Sequence, residues 1–215
     1  MSDIAAIALL QDPIRRRLYD HVVAQDHEVS RNEAAEAAGV QRTLAAFHLD
    51  KLVDAGLLEA VFRRLGGRTG PGAGRPAKLY RASAAEHAVS LPPRDYRTAA
   101  DLLAEAADLA RLDGELADVA RRRGRALGAA AGAGADVTAL LAERGYAPVV
   151  EGAEIRLRNC PFHVLAEHFP PLVCGMNLAL LDGLLEGAGA AATARLAARP
   201  GWCCVVVCPS KTNEH

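Results

Sequence analysis

A mixed α+β chain in three consecutive parts is what the sequence predicts, and three observations carry that expectation. The 215 residues are 51% hydrophobic and 24% charged, enough to bury a core in one large domain or two small ones. Apolar residues recur at helical spacing through residues 12–55 and 96–144, and give way to short strand-like runs near 57–65, 78–82, 146–158 and 193–207. Pro92-Pro93 marks a linker, and all five cysteines fall after residue 159.

Asp12 to Ala24 reads as the first amphipathic helix. Pro13 suits its first turn, and Ile14, Leu18, His21 and Val22 share one face. Ser30, with Glu33 three residues on, is a capping box, and the helix it opens ends near Gly39. A third helix runs from about Gln41 to Ala55 and stops at Gly56. Its apolar arc is Leu44, Ala45, Leu49, Leu52 and Val53, opposite Thr43, Ala46, Phe47, Asp50 and Lys51. Leu57 to Leu65 reads as a strand, GGRTGPGAGRPA as a turn region, and Lys78 to Ala82 as a returning strand. Helix, helix–turn–helix, then a hairpin with a basic tip is the order of a winged helix–turn–helix domain, assigned to residues 1–85.

The charge pattern agrees with this assignment only when it is divided along the chain. The net charge is −1, which taken whole weighs against a nucleic-acid binder. Yet Ala60 to Arg81 holds six bases (Arg63, Arg64, Arg68, Arg75, Lys78, Arg81) and no acid. Basic side chains in a hairpin can neutralise phosphates, and the preceding helix is long enough for a major groove. Gln41, Arg42 and Thr43, in the first turn of that helix, are expected to read bases or phosphates. Phe47 is suited either to a thymine methyl or to a neighbouring helix. Lys51, Arg63, Arg64, Arg68, Arg75 and Lys78 are expected to hold the DNA backbone or minor groove. Asp50 and Asp54 on the same face count against tight phosphate contact.

From about Tyr96 to Gly128 the chain is Ala/Leu-rich and helical, with Gly114 a candidate break. Leu102, Leu109, Leu112, Leu116 and Val119 form a stripe that suits either a partner helix or the chain's own core. Residues 94–145 are assigned as a helical dimerisation segment. Arg121, Arg122, Arg123 and Arg125 read as a solvated helix face, paired with nearby acids. Val137 to Arg144 is a further short helix.

Residues 146–208 read as a small α/β domain with an antiparallel sheet. Its parts are a hairpin at Tyr146 to Arg158, helix from His163 to Glu186 interrupted at Pro170-Pro171, and a hairpin at Thr193 to Val207. Residues 209–215 are expected to be a disordered tail.

The cysteine spacing is Cys160-x13-Cys174-x28-Cys203-Cys204-x3-Cys208, with no Cys-x-x-Cys. That weighs against a zinc ribbon or a thioredoxin-like dithiol. Three or four thiolates from converging elements can hold iron–sulfur iron or zinc. In a regular strand Cys203 and Cys204 face opposite ways, so at most one of them would be a ligand. His163 is a candidate fourth ligand. Cys204 and Cys208, in CCVVVC, also suit the role of small buried hydrophobes.

QRTLAAFHLDKLVDAGLL followed by GRPAKLY resembles the winged-helix region of ArsR-like bacterial regulators. NCPFHVLAEHFPPLVCGMNLALLDGLL followed by PGWCCVVV resembles the C-terminal domain of the iron–sulfur-sensing Suf repressors and their actinobacterial relatives. The resemblance spans about Leu9 to Val207. It implies a homodimeric repressor that binds a double-stranded operator, with an iron–sulfur cluster tuning its affinity. Carried over by position, the cluster ligands are Cys160, Cys174 and Cys203. The family's remaining cysteine falls at Ala188, which leaves the fourth ligand open between His163, Cys204, a non-protein group and no cluster at all. A winged-helix repressor that senses zinc, thiol oxidation or a small molecule is the alternative.

Other classes find little support. There is no nucleophile elbow, phosphate loop or dinucleotide fingerprint, so an enzyme is not expected. No run of about 18 apolar residues is free of charge, and the first twenty residues lack a secretory pattern. The expectation is a cytoplasmic protein with reduced thiols and no membrane span.

Overall fold

The computed structural model describes residues 2–64 and 76–210. The chain divides after Arg94 into two compact units.

The first unit opens with α1 (Asp3–Ala8), a 3-10 turn (Leu9–Gln11) and α2 (Pro13–Ala24). The Asp12 carboxylate starts α2 by accepting from the backbone N–H groups of Ile14 and Arg15 at 2.9 and 3.0 Å. β1 (Val29–Ser30) leads directly into α3 (Arg31–Ala38) through the Ser30–Glu33 capping box. Gly39 ends α3 at φ 64°, a left-handed conformation that costs glycine nothing, and turns the chain at once into α4 (Arg42–Asp54). The hairpin β2 (Leu58–Arg63) and β3 (Ala77–Ala82) follows. The sheet order is β1-β3-β2, all antiparallel, so Tyr80 on the central strand faces Val29 on one side and Ala60 on the other. Leu18, Val22, Ala34, Ala45, Leu49, Leu52, Leu58 and Tyr80 fill the core beneath. Each large aliphatic chain buried there contributes about 1.5–3 kcal/mol.

The second unit holds α5 (Tyr96–Leu109), α6 (Asp113–Ala131), α7 (Val137–Ala142), β4 (Pro148–Glu151), β5 (Glu154–Leu157), α8 (His163–His168), α9 (Pro170–Gly187), β6 (Ala192–Leu196) and β7 (Val205–Pro209). Its antiparallel sheet has the order β4-β5-β7-β6. The helical segment and the cysteine-bearing segment belong to this one unit, because α6 lies along α9. Gly124 and Gly128 of α6 meet Gly183 and Gly187 of α9 with no room for side chains. A Cβ on Gly124 would stand 2.1 Å from the Leu180 carbonyl, and one on Gly187 2.2 Å from that of Arg125. Arg121 reaches Asp182 at 3.3 Å and Glu186 at 3.0 Å, and Arg125 reaches Glu186 at 2.5 Å. Of the arginine cluster expected to pair with nearby acids, Arg121 and Arg125 are paired in this way, and their partners are more than 60 residues away in sequence.

Several boundaries differ from the sequence reading, each for a local reason. α1 and β1 have no counterpart in it; β1 is only two residues and acquires its identity from pairing with β3. The break between α5 and α6 falls at 110–112, where Arg111 takes φ 56°, and Gly114 lies inside α6. Leu44, placed in the apolar arc of the third helix, is exposed in the first turn of α4, where Ala45 and not Leu44 meets the core. Cys203 and Cys204 precede β7 instead of lying in it. Residues 65–75 and 211–215, with the expected hairpin tip and most of the expected tail, lie outside the described residues. Among the described residues no helix is long and apolar enough to cross a membrane.

Candidate nucleic-acid interface and thiol cluster

α4 presents a continuous polar edge. Gln41 is its N-cap but makes no side-chain cap bond, and Gln41, Arg42 and Thr43 are all exposed. One turn on, Phe47 is 55% exposed. The Lys51 ammonium lies 5.6 Å from its ring centroid. An open groove of about 540 Å³ runs beside the start of α4, lined among others by Arg31, Arg42, Phe62 and Lys78.

The acid that seemed to oppose phosphate contact has an internal role. The Asp50 carboxylate accepts from the Lys78 ammonium at 2.8 Å and from the Tyr80 hydroxyl at 2.6 Å. Arg31 donates to the same hydroxyl at 3.1 Å. These bonds tie α4 to the central strand and to the first residue of α3. Burial raises the pKa of Asp50, but the hydrogen bonds from Lys78 and Tyr80 outweigh it and hold the carboxyl below its usual range. Burial, then the bond to Asp50, pushes the Tyr80 phenol up to about 12.

The basic hairpin is less available than its composition suggests. Arg63 pairs with Glu28 at 2.6 Å, Lys78 with Asp50 at 2.8 Å and Arg81 with Glu59 at 2.7 Å. Arg64 is exposed, and Arg68 and Arg75 lie outside the described residues. Glu28 and Asp50 lie outside the hairpin and Glu59, on β2, falls just before the 22-residue basic run, so a charge count over that run could not reveal them.

A comparison with known families bears on this face. The family model of a helix-turn-helix domain matches residues 9–69. The chain carries a helix-turn-helix domain. The match supports a DNA-binding transcription regulator and embraces α2, α3 and α4. Comparison with curated proteins and with solved structures gives no match.

In the second unit, four cysteines from three segments converge. Cys160 follows β5, Cys174 is on α9, and Cys203 and Cys204 precede β7. Cys203 lies within interaction distance of Cys160 and of Cys204, and Cys204 of Cys174. The expectation that only one of Cys203 and Cys204 could join is therefore corrected. Strand alternation does not apply in the irregular turn that carries them, and both sulfurs reach the group. Cys203 is driven well below the ordinary thiol range, first by the Cys160 thiol and then by that of Cys204. Cys160 and Cys204 move up, each chiefly through its bond to Cys203 and then through burial.

Two side chains outside the sequence expectation complete the cluster. Asn177 of α9, almost wholly buried, directs its Nδ2 to Cys203 Sγ at 3.4 Å and to Cys160 Sγ at 3.9 Å. Tyr146 donates its hydroxyl to Asn177 Oδ1 at 2.5 Å. A lone amide in the apolar run GMNLALL was the available signal. His163 does not join the thiols: it pairs with Glu167 on the outside of α8 at 3.3 Å. Cys208 is apart, with Arg195 donating to its sulfur at 3.1 Å.

By chemistry the donor set suits a soft metal or an iron–sulfur cluster, since sulfur donors with N–H groups aimed at them are what such groups use. Among the described residues no group of three or more Cys, His, Asp or Glu side chains is arranged, as the side chains stand, to hold a metal ion.

Proposed function

We propose that this protein is a homodimeric transcriptional repressor whose thiol cluster carries an iron–sulfur group that tunes operator affinity. The observation that carries the reading is the convergence of Cys160, Cys174, Cys203 and Cys204 from three segments in a chain that also holds a helix-turn-helix domain. Cys160, Cys174, Cys203 and Cys204 are the proposed ligands, with Cys204 in the place left open by Ala188. Such a cluster supplies reversible electron transfer and sensitivity to oxidants.

The chain's own residues do the rest. Gln41, Arg42, Thr43, Phe47 and Lys51 meet the operator from α4, and Arg64 meets the backbone. The dimer is supported by the exposed apolar face of α5 and early α6, where Tyr96, Leu102, Leu103, Leu109, Leu112 and Val119 are uncovered within their own unit. Two operator half-sites then match two helix-turn-helix domains.

A second reading rests on the thiol contacts themselves. Sulfurs already packed together can hold zinc, or form a disulfide on oxidation, without a cluster. Anaerobic purification with iron, sulfide and zinc analysis separates the two. Iron and sulfide in stoichiometric amounts, lost together with a change in operator affinity on exposure to air, are expected. A colourless protein with one zinc per chain overturns the cluster reading in favour of the second.

A further inference from the structure

We propose that Asn177 and Tyr146 form a positioning pair that orients the thiol site, with Asn177 supplying N–H donors to the sulfurs of Cys203 and Cys160. The inference rests on the proposed role of these cysteines as ligands, but it concerns two residues outside the cysteine pattern.

An amide buried in an apolar helix needs partners on both of its ends. Asn177 has them. Its Oδ1 accepts from the Tyr146 hydroxyl at 2.5 Å, and its Nδ2 faces Cys203 at 3.4 Å and Cys160 at 3.9 Å. A tyrosine hydroxyl that donates to Oδ1 selects the amide orientation, because the flipped amide would turn its carbonyl oxygen toward sulfur. A tyrosine phenol is protonated near neutral pH, so its hydroxyl is a donor there. Tyr146 comes from the segment before β4, Asn177 from the middle of α9, and the two sulfurs from the ends flanking β5 and β7. One amide thus joins three separate elements at the sulfurs. Hydrogen bonds from outside the ligand set orient metal-binding groups and tune their electronics, and their loss typically weakens metal affinity about 10–100-fold.

The test uses cadmium(II) with the reduced full-length protein, read by the thiolate-to-metal charge-transfer band and by competition with a chelator. Wild type is compared with Asn177→Leu, Asn177→Asp and Tyr146→Phe, and thermal melting identifies any variant that fails to fold. Loss of the N–H donors raises the energy of the sulfur lone pairs. The band of Asn177→Leu is therefore expected to shift to longer wavelength, with affinity about 10–100-fold lower. Asn177→Asp retains an acceptor for Tyr146 but places oxygen against sulfur, and is expected to fold and to show at least as large a loss. Tyr146→Phe keeps the amide but releases its orientation, and is expected to fall between wild type and Asn177→Leu. Folded Asn177 variants whose band and affinity equal those of wild type overturn the positioning role and leave the ligand set standing. A wild type that gives no charge-transfer band overturns the ligand set, and this inference with it.

Discussion

Of the six bases between Ala60 and Arg81, three hold acids of their own chain: Arg63 holds Glu28, Lys78 holds Asp50 and Arg81 holds Glu59. The hairpin's raw charge therefore overstates what it offers a phosphate. Arg42 and Arg64 are the residues to test for backbone contact. Removing one bound phosphate's partner should reduce the salt slope of binding by about 1. Arg42→Ala and Arg64→Ala should each weaken binding to all sequences and flatten the salt dependence by that amount, measured by fluorescence anisotropy at several salt concentrations. Arg81→Ala should leave the slope unchanged. If Arg64→Ala behaves as Arg81→Ala does, the hairpin's part in binding is refuted.

Asp50 allows a second test at this scale, because its carboxyl is held below its usual range in the folded chain. A depressed carboxyl adds stability above its unfolded pKa, here taken as 3.8, and that stability is lost as pH falls through the lower folded value. Asp50→Asn should therefore cost about 1 kcal/mol near neutral pH, an amount kept small because the pair is partly exposed. The difference from wild type should shrink below pH 3.8 and vanish once the folded carboxyl is protonated, as followed by urea denaturation across the acid range. A constant difference at every pH would show that charge is not what Asp50 contributes.

At the scale of elements, most of the first unit was legible because its signals are local. Asp12, the Ser30–Glu33 box and Gly39 state where helices begin and end within four residues of themselves. What was not legible depends on partners far away in sequence. The glycines of α6 and α9 read as helix weakeners or joints when taken singly. Only the facing helix reveals that Gly124, Gly128, Gly183 and Gly187 permit a close backbone approach. Likewise the period-two rule placed Cys203 and Cys204 on opposite faces of a strand that begins only at Val205. The thiol site was therefore half legible: its cysteines stood out by clustering, but Asn177 and Tyr146 did not.

The glycine packing makes a paired prediction. Gly124→Ala puts a methyl 2.1 Å from a carbonyl oxygen and must push α6 and α9 apart, at a cost of about 3 kcal/mol. Gly114 lies in the same helix with nothing within 4 Å of an added Cβ, so Gly114→Ala should stabilise by about 0.5–1 kcal/mol. Thermal unfolding should lower the transition of the second unit in the first variant and raise it in the second. Equal effects would mean that helix propensity, and not the close approach, governs both positions.

At the scale of the whole molecule, the apolar face of α5 and early α6 asks for a cover. Leu102, Leu103 and Leu109 are 61%, 72% and 77% exposed, far more than the aliphatic residues beneath the sheets. Exposed leucines gathered in this way are what a symmetric partner would bury. Leu102→Glu together with Leu109→Glu places like charges across a two-fold interface, and should convert the proposed dimer to a monomer without unfolding the chain, since neither side chain belongs to a core. Analytical ultracentrifugation measures the first effect and circular dichroism checks the second. Operator binding should then fall by about 100-fold or more, because each half-site is bound alone and the effective concentration supplied by the partner is gone. Affinity for a single half-site should be unaltered. A double variant that remains dimeric would place the dimer interface elsewhere. A wild type that is monomeric yet binds the full operator would remove the two-half-site reading itself.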